Sequence, residues 1–150
     1  MAKYHLTPSD VAVIAVHIRR TDYLLRRKKG DLVSDDAYFS HAVTFFNRLF
    51  KNKTMYVVCS DDIEWSKVNF ITERPTVFSV GHSADVDFAI LSRCNHSIIT
   101  MGTFGRWSAL LAGGITVYQR PDAPTAVPLH NVNRRVDSTK DPTRAWIALS

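Results

Sequence analysis

Five short apolar runs rich in β-branched residues set the frame of this chain: 11–17, 54–59, 76–80, 96–100 and 115–118. Each has the length of a buried strand and is too short for a buried helix. Helical patterns lie between them. Tyr38, Phe39, Ala42, Phe45, Phe46 and Leu49 recur at helical spacing and form one apolar face of a helix that ends near Phe50, with Ser34 or Asp35 at its N-cap. Ser60-Asp61-Asp62 opens a short helix carrying Trp65, with Glu64 in its first turn. Ala84 to Cys94 reads as a helix with Phe88, Ala89 and Leu91 facing inward. A further helix runs from the Met101–Gly105 turn to about Ala112, where Gly113-Gly114 stops it. Residues 24–33 and 119–142 read as loops, the second carrying Pro121, Pro124, Pro128 and Pro142, and about Arg144 to Leu149 reads as a last helix against the sheet. Strands alternating with helices over short connections predict an α/β fold, a parallel sheet with helices on both faces.

The length of 150 residues suits a single domain with its own core. Apolar residues make up 45% and charged residues 22%, as in ordinary globular chains. No apolar run reaches membrane-spanning length, and Met1-Ala2-Lys3-Tyr4-His5 lacks the apolar core of a signal peptide. Cys59 and Cys94 lack metal-ligand spacing and are expected as two buried thiols, with a disulfide between them as the alternative. Asn52-Lys53-Thr54 in a polar turn and Asn95-His96-Ser97 at a strand entrance both match the glycosylation sequon. The net charge of +5 is unevenly spread: Arg19, Arg20, Arg26, Arg27, Lys28 and Lys29 fall within eleven residues and imply an anionic partner. A nucleic acid would meet that charge, yet no nucleic-acid motif or aromatic platform accompanies it, and none is expected as a partner.

Ligands of open α/β sheets bind beyond the carboxyl ends of the strands. Two unusual loops stand there. The first strand runs into His17-Ile18-Arg19-Arg20-Thr21-Asp22-Tyr23. Arginine presents a fixed fork of donors that fits phosphate oxygens bidentately and stays charged at physiological pH. The competing reading is a surface arginine pair in salt bridges with Asp22 or Asp36. The second loop, Thr100-Met101-Gly102-Thr103-Phe104-Gly105, precedes a helix whose first N–H groups attract anions. Its alternative is an ordinary strand-to-helix turn. Asp85-Val86-Asp87 has the spacing of a metal-holding acidic pair. Two acids at a helix start are also ordinary caps. With arginines to neutralise a diphosphate a metal is redundant, so no metal is expected and Asp87 is assigned to the edge of a purine base. Asp61, Asp62 and Glu64 are accounted for by a helix N-terminus. Among the histidines only His17 has a functional claim.

The first loop resembles the H-x-R-R-x-D-Y motif of the galactoside α-1,2-fucosyltransferase family. Val57-Val58-Cys59-Ser60-Asp61-Asp62-Ile63-Glu64-Trp65 is similar to the family's second block, and Asp87 through Trp107 followed by Leu111-Ala112-Gly113-Gly114 to its third. The resemblance covers about residues 11–120 and implies a Rossmann-like domain like the C-terminal half of a GT-B glycosyltransferase. It implies GDP-fucose as donor, a galactose-terminated glycan as acceptor, inversion at the anomeric carbon and no metal or other cofactor. By position, Arg19 meets the β-phosphate and Arg20 supports the loop or the diphosphate. His17 and Asp87 lie near the guanosine, and Gly102, Thr103 and Phe104 meet the diphosphate. Arg19 and Asp22 are the catalytic candidates, Asp22 either orienting the arginines or acting as base near the acceptor hydroxyl. The family carries a membrane anchor and an acceptor-side domain before this motif and works in the Golgi. The chain as written is expected to be one donor-binding domain, 1–150, without them. A GDP-sugar-binding module without catalysis is the second expectation.

Overall fold

The structure is a computed structural model that describes residues 11–26, 34–121, 123, 125 and 146–150. Its strands are β1 (Ala12–Ile18), β2 (Thr54–Ser60), β3 (Thr76–Phe78), β4 (His96–Ile99), β5 (Thr116–Gln119) and β6 (Trp146–Leu149). Its helices are α1 (Thr21–Arg26), α2 (Asp36–Leu49), α3 (Ile63–Asn69), α4 (Ala84–Ser92) and α5 (Thr103–Ala112). The strands form one sheet in the order β3-β2-β1-β4-β5-β6, and every pairing is parallel. This is the Rossmann-like arrangement expected. The chain leaves β1 toward β3, then returns to place β4 on the other side of β1. The strand order therefore reverses between β1 and β4, and a crevice opens there beyond their carboxyl ends.

Strand alternation divides the core. Ala12, Ile14, Val16 and Ile18 of β1 belong to the larger apolar cluster, with Tyr38, Phe39, Ala42 and Phe46 of α2. The intervening Val13 and Ala15 join the smaller cluster with Cys59, Leu91 and Cys94 on the α4 side. Asp35 caps α2, its Oδ1 accepting from the Tyr38 N–H at 3.0 Å. Phe39 and Phe46 are fully covered, and burying each is worth about 1.5–3 kcal/mol over exposure. The Tyr38 hydroxyl reaches the carbonyls of Ile99 (2.8 Å) and Val117 (3.2 Å), anchoring α2 beneath the ends of β4 and β5. Both cysteines are free and buried, as expected of thiols in an apolar cluster.

Three expectations need correction. The last helix, placed at about Arg144 to Leu149, is instead strand β6, parallel to β5 from Thr116↔Trp146 to Gln119↔Leu149. Ile147 and Leu149 alternate inward with a period of two, and the open edge of β5 supplies hydrogen-bond partners that a helix would leave unused. The charged loop at 24–33 begins as helix, because α1 continues to Arg26; residues 27–33 lie outside the description. Ala89 is exposed and Leu91 is the residue of α4 that is fully buried. Most of the proline-bearing stretch 119–142 also lies outside the described residues.

Candidate functional site

Both singled-out loops emerge at the β1/β4 reversal and are bonded to each other. The Arg19 N–H donates to Thr100 Oγ1 at 2.8 Å, and the Thr100 N–H donates to the His17 carbonyl at 3.2 Å. The Arg19 loop and the N-terminus of α5 therefore share one face of the crevice. Gly102 takes φ +112°, a backbone that side-chain-bearing residues rarely adopt, and no side chain caps α5. Its first N–H groups keep their donors and partial positive charge for a ligand. Tyr23 lies alongside: a Cβ on Gly102 would sit 3.5 Å from its hydroxyl.

His17 lies beneath this helix start. It is 6% exposed, and its ring is 4.8 Å from that of Phe104. A Cβ on Gly105 would come 2.8 Å from His17 Nδ1 and 3.3 Å from Ile99 Cβ, so only glycine lets the first turn of α5 settle on the imidazole. Burial lowers the His17 pKa to about 4 against the opposing charges of Asp61 and Asp87, with Arg19 adding to the downward shift. The ring is neutral at physiological pH, and its Nδ1 makes no hydrogen bond. It acts as an apolar plate with a polar edge, not as a cationic phosphate ligand.

The two arginines part company. Arg19, with its side chain 41% exposed, is clamped by Asp22: Nε donates to Oδ1 at 2.9 Å and Nη2 to Oδ2 at 3.1 Å. Those bonds raise its pKa and fix the plane of the guanidinium, leaving its remaining Nη hydrogens for another acceptor. Both Asp22 oxygens are engaged, which suits the orienting role among the two open to it. The salt bridge to Asp22 is thus real, as the competing reading held, and it coexists with an exposed cation beside a helix N-terminus. Arg20 turns to the other face. Its guanidinium lies 3.8 Å over the Trp65 ring, its Nε is 3.5 Å from Asp62 Oδ2, and its side chain is only 17% exposed. That geometry fastens the loop to α3.

Asp61 was passed over as one of the acids of a helix start. Asp62 caps α3, accepting from the Trp65 N–H at 3.2 Å. Asp61 instead reaches across from β2 to the start of α1. It accepts from the Arg20 N–H (2.9 Å), the Thr21 N–H (3.1 Å) and the Thr21 hydroxyl (2.6 Å). Its Oδ2 also lies 3.6 Å from Arg19 Nε. Two adjacent acids after a strand, where one suffices to cap, were the available signal. Thr100, whose hydroxyl joins the two loops, heads the second loop in the sequence, where nothing distinguishes it from an ordinary strand end.

Asp87 lies in the first turn of α4 and accepts from Ser79 Oγ at 2.6 Å. The next residue, Phe88, meets Phe104 edge-on at 5.3 Å, so α4 connects through Phe104 to His17. Asp85 is exposed in the same turn. Thr103 is exposed at the start of α5 and Phe104 is half-buried. Among the described residues no three His, Cys, Asp or Glu side chains gather as metal ligands. The structure thus brings His17, Arg19, Gly102, Thr103 and Phe104 to one crevice with Asp87 at its flank, and directs Arg20 away from it.

Comparison with known proteins gives the arrangement a family. A galactoside α-(1,2)-fucosyltransferase 1 from Homo sapiens is 44% identical over 112 residues, covering 70% of this chain and 30% of the relative. The pig enzyme of that name, from Sus scrofa, is 42% identical over the same span and shares. The chain thus spans about a third of the length of these relatives. No solved structure matches it. The model of glycosyl transferase family 11 matches residues 5–142, a span that takes in both crevice loops, Asp61 and Asp87, and on that match the chain belongs to glycosyl transferase family 11.

Proposed function

We infer that this chain is the donor-binding part of an inverting α-1,2-fucosyltransferase that moves L-fucose from GDP-fucose to the 2-hydroxyl of a terminal galactoside. The observation that carries the reading is the Arg19–Thr100 bond, which sets an exposed, clamped guanidinium beside an uncapped helix N-terminus at the sheet's reversal point. The names of the relatives supply the substrate class.

Cleavage of the fucosyl–phosphate bond builds negative charge on the leaving diphosphate. Arg19 and the N–H groups of Gly102, Thr103 and Phe104 meet that charge, with the Thr103 hydroxyl adding a donor. One such preorganised donor is commonly worth about 3–4 kcal/mol of barrier. Fixed donors need little reorganisation during the reaction, so this neutralisation needs no metal. Asp22 keeps the guanidinium in plane, and Arg20 braces the loop against Trp65. Asp87 takes the purine edge, and the neutral His17–Phe104 pair forms an apolar wall beside it. An acceptor hydroxyl must lose a proton to a positioned base. In this reading that base lies on the acceptor side, with Asp22 holding Arg19. We place the reaction in the Golgi on the family resemblance; among the described residues no helix is long and apolar enough to cross a membrane.

The test is calorimetric titration of the full chain with GDP in the presence of a chelator, beside Arg19→Ala. Binding in the wild type and a loss of at least tenfold in the variant are expected. Equal affinities for the two proteins would refute the site. Transfer of labelled fucose to a β-galactoside separates a transferase from a GDP-sugar-binding module.

A further inference from the structure

The β3–α4 connection carries a hydrogen-bonded chain that the sequence did not single out. Ser79 Oγ lies 2.6 Å from Asp87 Oδ1 and 2.8 Å from His82 Nδ1. The directions of these bonds follow from the groups themselves. An ionised carboxylate only accepts and a hydroxyl has one hydrogen, so Ser79 donates to Asp87 and accepts from His82, whose Nδ1 therefore carries the proton. The chain is held at both ends. The Ser79 N–H donates to the Val58 carbonyl at 2.8 Å, which extends the sheet ladder. Gly81 at φ +75° turns the backbone so that His82 comes back onto Ser79. The Asp87 N–H donates to the Ser83 carbonyl at 3.0 Å, and Ser83 caps α4. A short helix-start carboxylate is thereby confined to one direction, although a cap role would not require it: Ser83 already fills that place.

We propose that Ser79 and His82 are positioning residues that aim the Asp87 carboxylate at the base of the bound nucleotide and so set purine selectivity. The proposal rests on the donor-binding reading above. A carboxylate offers about four acceptor sites; Ser79 takes one of them and the buried Cys59 thiol faces another. The others are left in a fixed orientation beside Phe88, one aromatic contact from Phe104 and the start of α5. A purine of the guanine type presents a ring N–H and an exocyclic amino group side by side, two donors that a fixed carboxylate accepts together. An adenine-type edge presents an unprotonated ring nitrogen there, which the same carboxylate repels. Discrimination by unmatched polar groups is steep only when those groups cannot turn away. A relay that removes the rotational freedom of Asp87 supplies that condition.

Affinities of the full chain for GDP and ADP, measured by calorimetry, test this as a ratio. Asp87→Asn should collapse the preference for GDP. Ser79→Ala should lower the GDP:ADP ratio about three- to tenfold, and Ser79→Thr, which keeps the hydroxyl, should restore it. His82 is exposed, so His82→Ala tests the relay without disturbing the core and should lower the ratio by a smaller factor. A collapse with Asp87→Asn but an unchanged ratio in both Ser79→Ala and His82→Ala would overturn the relay and leave the base reading standing. An unchanged ratio in Asp87→Asn would overturn both.

Discussion

Replacing Gly105 by alanine isolates the contact on which the crevice is built. Alanine is the better helix former, and in a helix interior the exchange favours stability by about 0.8–1 kcal/mol. Here the new methyl would lie 2.8 Å from His17 Nδ1, 3.4 Å from its Cγ and 3.3 Å from Ile99 Cβ. The imidazole is 6% exposed and packed at a tilt against Phe104, and Ile99 is a core residue, so neither can swing aside. Overpacking of this kind costs about 1–3 kcal/mol. The net expectation for Gly105→Ala is destabilisation of about 0–2 kcal/mol, a range too close to zero to decide the matter alone. The decisive quantity is the coupling with His17→Ala. In that background the clash with the ring is gone and only the 3.3 Å contact with Ile99 Cβ remains, so Gly105→Ala should stabilise by up to about 1 kcal/mol. Urea unfolding of the four proteins in a double-mutant cycle should give a coupling energy of about 1–3 kcal/mol. If the alanine stabilises equally in both backgrounds, the first turn of α5 does not rest on His17 and the account of the crevice fails.

Removing the Asp61 side chain should release the start of α1 and loosen Arg19. Asp61→Ala is expected to cost about 1–2 kcal/mol in urea unfolding and to weaken GDP binding more than GMP binding; an equal loss for the two nucleotides would exclude the orienting role. His17 and His96 are both held neutral by burial, with pKa values of about 4 against an ordinary 6.5. The unfolded chain therefore binds more protons between those values, so stability is complete above about pH 6.5 and falls as the pH drops toward 4. Each group should contribute a loss of about 3 kcal/mol across that window, seen as falling urea midpoints; a flat profile from pH 7 to 4.5 would contradict the burial of both rings. His96 Nδ1 accepts from the Ile115 N–H at 3.0 Å, so its protonation also breaks a bond at the start of β5. Burial pushes the Cys59 and Cys94 thiols up to about 12 and about 11, so a thiol reagent at pH 8 should react with the native protein only slowly and with both sites after denaturation. Rapid labelling of either thiol in the native state would place it outside the core.

Local pattern carried β1 to β5 and the helices α2 to α5, because burial and periodicity are written into consecutive residues. The inward face of α2 from Tyr38 to Phe46 was legible in this way, as was a cap at Ser34 or Asp35, a choice the structure settles for Asp35. The two loops of the candidate site were legible as well, because arginines, an acid and a glycine turn stand out as residue types whatever surrounds them. The strand β6 was not legible. Trp146-Ile147-Ala148-Leu149 is too short to show a period, and it became a strand because β5 offered it an edge.

The sequence by itself determined that this chain alternates strands with helices and sets two adjacent arginines after its first strand. Tertiary structure alone decided that β4 lies beside β1, which makes one site of two loops joined by a bond across 81 residues. It also decided which arginine lies beside the second loop. Adjacent residues leaving a strand point to opposite faces, so Arg19 came to the crevice with Asp22 and Asp61 around it, while Arg20 fell on Trp65. Two neighbouring guanidiniums are chemically alike. Only the elements packed on each side of the sheet distinguish them, and those elements come from distant parts of the chain.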